Sequence, residues 1–423
     1  MTCEPCRPSG FAPLALYCVV FLPPLVYVVA KTSSMAAGTF LACLILVLAR
    51  PAALQRSLSR NWPRWVAAWA LLALVLTHSL VAATVSEQNL TRSMTSVLVI
   101  PLFFCGALAL EHSLFTSPRE NIDRTCRRVF VLMAVLLVIG IEEWIPSGLF
   151  DLNMVIFPFA EPSHFALVFT PFLMYCAVRT TKWRRLAILF AGFLLSYLVE
   201  NLTMAVGCAL VAVICVRAAY WPLAVAALAV ATVGLDMSYF TSRLEADGDS
   251  TNLSALVYQQ GWQLIAESME RSSYFGIGFQ QLGEQPTDVL ASDRIVQLNG
   301  VGLNLRDGSF IVAKLASEFG VAGLILIVAA VVMIVAAAWH LRLEAQGRVR
   351  LQPGVLLACC VIVSFSLDLF VRGTGYFSGT SLLCAAAGLH LSRHCQQRST
   401  SPRSLRAGPS HLTRGSADDR ELQ

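Results

Sequence analysis

In the stretch FPFAEPSHFALVFTPFL, residues 157 to 173, a carboxylate, a hydroxyl and an imidazole stand together at Glu161, Ser163 and His164, directly ahead of an apolar run. Glu161 can accept a proton from a substrate hydroxyl, and Ser163 and His164 can donate hydrogen bonds. Pro162 suits the first turn of a helix and Ser163 suits its cap. Such a helix would present free backbone N–H groups and a partial positive charge, which together favour an anion. An ordinary interfacial helix cap with a solvated acid fits the same spacing, and the two readings stay open on these residues alone.

Cations supply the other half of a possible chemistry. Arg243, Arg306, Lys314 and Arg372 bracket the longest polar segment, and Arg271 lies within it. Arginine pairs two of its N–H groups with phosphate oxygens, so a group of such side chains suits a phosphate or diphosphate. Singly, each could instead snorkel to lipid headgroups. Asp307 beside Arg306 offers a second carboxylate, and Glu200, Glu318 and Asp368 fall within or close to apolar segments, where acids also serve as proton relays.

The elements that must hold these residues are membrane helices. The chain has 423 residues, of which 56% are hydrophobic and 13% charged, against about 25% charged in soluble domains. Apolar segments predict an all-α, polytopic bundle of about twelve transmembrane helices. They run near 11–30, 35–49, 65–83, 94–110, 128–141, 164–178, 185–199, 203–217, 219–236, 309–338, 354–371 and 377–392. Basic loops alternate with acidic ones, Arg50 to Arg64, Arg119 to Arg128 and Arg179 to Arg185 against Glu87, Glu142, Glu143 and Asp151. By the positive-inside rule both termini are then cytoplasmic, the first helix is a retained anchor, and the net charge of +5 reflects topology without nucleic-acid binding.

Four parts follow: helices one to nine in 1–236, a large loop on the non-cytoplasmic side in 237–308, helices ten to twelve in 309–392, and a disordered cytoplasmic tail in 393–423. In the loop, Asn252 is expected to cap a helix whose face carries Leu253, Leu256, Val257, Leu264, Ile265 and Met269, and a second helix is expected from Thr287 to Leu298. The Gly-rich FGIGFQQLG at 275–283 has Gln281 where a dinucleotide fingerprint needs its third glycine, so nucleotide binding is rejected. Asp247 and Asp249 form a DxD better read as a turn, and Cys3 and Cys6 a CxxC without a second pair. The glycine of a rhomboid-type GxSG is misplaced around Ser378.

The succession FAEPSHFALVFTPFL, ENLTMAVG (200–207), NLSALVYQQGW (252–262), FGIGFQQLG and LRDGSFIVAKLASEFGVAGL (305–324) resembles the O-antigen polymerases of Wzy type, over roughly residues 150 to 330. These share a superfamily of polytopic, GT-C-like glycosyltransferases with the O-antigen ligases. The resemblance implies an enzyme of the Gram-negative inner membrane with its loop and active site in the periplasm, free of metal and cofactor. It would polymerise undecaprenyl-diphosphate-linked oligosaccharide repeats delivered by a flippase, with a chain-length regulator as a further partner. On that reading Arg243, Arg306 and Arg372 neutralise the leaving diphosphate and Glu161 or Asp307 is the base. Ser163, His164, Arg271 and Lys314 bind substrate. Ligase-like members carry Ser-Arg before the helix that here begins near 203, and a His after the large loop. This chain has Glu200 to Thr203 and Asp307 to Ser309 at those places, which disfavours the ligase alternative. A secondary transporter or lipid-linked sugar exporter is the competitor from another class, and it would show broken helices and charges near the midplane.

Overall fold

The computed structural model describes residues 11–32, 34–52, 54–55, 62–85, 89–141, 156–220, 240–241, 252–284, 288–300 and 310–400. Among them every long element is a helix, and the only β pairing is an isolated bridge between Ile156 and Phe159. We number the helices α1 (Phe11–Val29), α2 (Ala36–Ala49), α3 (Trp62–Val85), α4 (Leu90–Leu110), α5 (Arg119–Ile141), α6 (Pro162–Arg179) and α7 (Lys182–Leu198). The series continues with α8 (Leu202–Cys215), α9 (Leu253–Arg271), α10 (Leu290–Asn299), α11 (Ile311–Ala345), α12 (Pro353–Phe370) and α13 (Gly379–Thr400). Each expected apolar segment except the ninth coincides with one of these helices. The ninth, at 219–236, lies almost wholly outside the described residues, as do Asp247, Asp249, Cys3, Cys6 and residues 401–423.

Among the described residues five helices are long and apolar enough to cross a membrane: α1, α3, α4 with the π-turn Glu111–Phe115 that prolongs it, α11 and α12. Along α11, Val321, Ile325, Val328, Val332 and Val335 all face outward, a surface that hydrocarbon solvates and water does not. At the centre stands α12, buried nearly all round and packed by α5, α6, α8, α11 and α13. Small residues permit the closest approaches: a Cβ on Gly207 of α8 would stand 2.6 Å from the Thr170 hydroxyl of α6.

Side-chain bonds tie the helix ends into two groups. At one end Arg179 of α6 lies 3.9 Å from Asp123 of α5 and 3.8 Å from Glu344 of α11. Beside it the Arg185 guanidinium donates to the carbonyls of Ala177, Cys215 and Ala345, at 2.9, 3.1 and 3.2 Å. It thereby satisfies the orphan C-terminal carbonyls of α6, α8 and α11 with a cation their dipoles favour. His390 and Arg393 each lie 3.6 Å from Glu111 in the π-turn. Helix α13 runs past residue 392, where a disordered tail is expected to begin, to Thr400. At the opposite end α6, α8 and α11 begin and α12 ends, and there the candidate site lies.

The loop helices match their pattern. Asn252 caps α9 by accepting from the amides of Ser254 and Ala255, and Leu256, Val257, Leu264 and Met269 are buried against α10 and α11. The second helix starts at Leu290 instead of Thr287, because Val289 is extended and buried among Leu264, Ile277 and Leu282.

Helix α11 is broken at Gly320, whose φ of 57° and ψ of −133° are open only to glycine. The Gly-rich stretch fills the break. Ile277 N donates to Ser317 O at 2.9 Å, Gly278 N to Glu318 O at 3.0 Å, and Val321 N to Tyr274 O at 3.0 Å. Three backbone groups that the interrupted helix would leave orphaned in an apolar setting are thus paired. The approach is so close that a Cβ on Gly276 would stand 2.5 Å from Glu318 O, and one on Gly320 would collide with Tyr274 O.

Candidate functional site

Glu161 is the N-cap of α6, extended at φ −132°, with Pro162 in the first turn as the sequence predicts. Ser163 is not the cap: it sits inside the first turn, and its hydroxyl donates to Glu161 Oε2 at 3.0 Å. The same oxygen accepts from Arg372 Nη2 at 2.8 Å and lies 3.8 Å from His164 Nε2. Four of the expected site residues therefore meet at one carboxylate. Two elements far apart in sequence deliver them, because the last turn of α12 ends where α6 begins. Asn201 locks the arrangement by donating to Pro162 O at 2.6 Å while accepting from Met204 N at 3.1 Å to cap α8.

Burial raises the Glu161 carboxyl, but His164 and Arg372 and the hydrogen bonds from Ser163 and Arg372 outweigh it and hold the group below its ordinary 4.5. Near neutral pH it is therefore a carboxylate bonded to a cation, and its side chain remains 44% exposed. A surface-accessible pair of this kind opens at little cost when a stronger anion arrives.

Lys314, expected one turn inside its helix, is buried in the first turn of α11 with Nζ 3.7 Å from where a Cβ on Gly375 would stand. Glu318, one turn deeper, is fully buried and feels Lys314. Its Oε1 accepts from Leu282 N at 3.3 Å, and the Tyr376 hydroxyl faces it. Gly373 abuts the backbone of Phe310, which places the start of α11 one residue from Arg372. Arg271 pairs with Glu267 on its own helix, and the groups that lower the Glu161 carboxyl are His164, Arg372 and Ser163. Arg243, Arg306 and Asp307 lie outside the described residues.

Several residues at this end carry no local signal in the sequence. Tyr258 and Trp262 of α9, each about two-fifths exposed, pack with ring centroids 5.1 Å from Phe310 and form an aromatic surface beside the start of α11. His78 of α3 stacks on Phe275 at 4.6 Å and bonds its carbonyl at 3.0 Å, so α3 clasps the segment that fills the broken helix. Asn89 and Gln281 exchange bonds of 2.9 and 3.2 Å, and Arg92 pairs with Glu284. An Asn cap at 201 is visible in ENLT, whereas His78 and Trp262 become informative only once their distant partners are known.

Compared with known proteins, the chain matches no family model, no curated protein and no solved structure.

Proposed function

We propose that the chain is a membrane glycosyltransferase that elongates a surface polysaccharide from lipid-diphosphate-linked oligosaccharides, as its resemblance to O-antigen polymerases implies. The observation that carries this reading is the Arg372–Glu161–Ser163–His164 cluster, a cation and a carboxylate bonded to each other at a helix N-terminus. A diphosphate competes with Glu161 for Arg372 and gains the positive end of the α6 dipole, although Pro162 has no N–H and the amides of His164 and Phe165 already bond Glu161 O at 3.1 and 3.4 Å. Once Arg372 turns to the diphosphate, Glu161 loses a cation that depressed its proton affinity and becomes a better base. The acceptor hydroxyl oxygen then attacks the anomeric carbon while its proton passes to Glu161. The carbon–oxygen bond to the diphosphate breaks with its electron pair on the leaving group, where Arg372 neutralises it. Arg243 and Arg306 join that clamp, Asp307 is the alternative base, and Lys314 and Arg271 complete the cationic surround. Tyr258 and Trp262 offer flat apolar faces to sugar rings. Catalysis of this kind is mostly positioning and charge stabilisation, since the donor is already activated.

This reading places the protein in the inner membrane with the cluster on the periplasmic side and the Arg185 end in the cytoplasm, and it retains about twelve spans. Deleting the gene and resolving the cell's lipopolysaccharide on a gel tests it. Core bearing a single repeat is expected, and an unchanged ladder would refute it. Bare core, with polymer accumulating on the carrier lipid, would indicate the ligase.

One observation favours a second reading. Helix α11 is broken, and Lys314, Glu318 and Asp368 are buried inside the bundle and not only at its rim. A secondary transporter has those features. Collapsing the ion gradients stops such an exporter and leaves a transferase acting on purified substrate unaffected.

A further inference from the structure

Between α1, α6, α12 and α13 lies a small half-open cleft of about 10 Å³, room for about one water-sized group, walled mostly by aliphatic side chains, with Ser364, Asp368 and Thr380 as its polar lining. Asp368 is 1% exposed, in the last turn of α12, and every described partner it has is neutral. Its Oδ1 accepts from the hydroxyls of Thr380 at 2.8 Å and Thr374 at 3.4 Å. The Ser378 hydroxyl bonds those of Thr380 and Ser381, both at 2.9 Å, and Ser381 donates to Gly375 O at 3.2 Å. Ser364, one turn before Asp368 on the same helix, has a buried hydroxyl with no hydrogen-bond partner among the described residues. Lys314 reaches toward Gly375 but acts on Glu318.

An acid at the C-terminal end of a helix faces the negative pole of that helix, and the N-terminal turn of α13 returns about half a charge at most. A buried carboxylate needs a full compensating charge. A proton on the carboxyl would answer one lone pair and leave the Ser364 hydroxyl still without a partner, whereas a hard cation engages several oxygens at once. The oxygens gather around the unwound chain between two helices, where helix-end groups and free carbonyls suit a small ion, and only at one end of an otherwise hydrocarbon cavity. We propose that Asp368, Ser364 and Thr380, with the hydroxyls behind them, bind a monovalent cation of sodium size. The site is separate from the Glu161 cluster and holds whether the chain transfers glycans or transports them.

Thermal unfolding of the purified full-length chain in detergent, titrated with NaCl at ionic strength held constant by choline chloride or KCl, tests this. A saturable rise in Tm is expected with sodium and absent with choline. Asp368→Asn is expected to abolish the rise, and Ser364→Ala to weaken apparent affinity about tenfold, the loss of one ligand at about 1.4 kcal/mol. Glu161→Gln should respond as the wild type does. Should Asp368→Asn fail to fold, radioactive sodium binding to Ser364→Ala against wild type decides by the same tenfold criterion. Coincident sodium and choline curves for the wild type would overturn the proposal, as would an undiminished sodium response in Asp368→Asn. So would a Tm that follows pH but not sodium, because a proton would then be the occupant.

Discussion

Glu161 has two tasks that pull in opposite directions: the contacts that place it also weaken it as a base. Its lowered proton affinity means that the ion-paired form stabilises the fold at any pH above its ordinary value of 4.5. That stabilisation is lost as pH falls through the lower folded value. Because the side chain is 44% exposed, the increment is below about 1 kcal/mol. Wild type should therefore melt slightly above Glu161→Gln at pH 6, with the gap narrowing as pH falls below 4.5, and a gap that does not narrow with acidification would show that the carboxylate is not the source. At this scale Glu161, Ser163, His164 and Arg372 stand out in the sequence by their chemistry, yet their meeting at one oxygen is not legible there, since it needs the ends of α6 and α12 to coincide across about two hundred residues. Ser163 was misread as the cap because Ser is a favoured capping type; the acid before the proline took that position, and the hydroxyl turned back to bind it.

Among the elements, the break in α11 is what seats the Gly-rich stretch against the bundle. The Gly-rich stretch is conspicuous in the sequence, but only the tertiary structure shows that its amides serve the carbonyls of another helix. No spacing rule links Gly276 to Gly320. Gly320→Ala should destabilise the purified protein by about 3 kcal/mol or more, combining a strained backbone with a collision against Tyr274 O. Gly388→Ala, where a Cβ meets open space, should leave melting unchanged or raise it. Equal effects at the two positions would mean that the interrupted helix is not held as described. The loop helices were more legible, because an Asn cap and an apolar stripe are local signals that tertiary context did not override.

Over the whole molecule, alternating basic and acidic loops are read directly from the sequence, whereas Glu87, Glu142, Glu143 and Asp151 of the acidic loops lie outside the described residues. Arg185 ties one end of the bundle together, bonding carbonyls from three helices. Arg185→Ala should lower stability by about 3 kcal/mol, and Arg185→Lys should recover only part of it, because an ammonium cannot span the same fork of acceptors. Full recovery by lysine would reduce the role to charge alone. What the sequence could not convey at this scale is which helices neighbour one another, above all the central place of α12, whose apolar run looks like any other span. The proposed activity requires the Arg372 end of the bundle to handle a lipid diphosphate. The most direct measurement is to reconstitute the purified chain with undecaprenyl-diphosphate-linked repeats, following both glycan length and release of the free lipid diphosphate. A ladder with matching release is expected, falling at least tenfold in Arg372→Ala and not restored by Arg372→Lys; no ladder and no release from folded wild-type protein, or an undiminished ladder in Arg372→Ala, would contradict it.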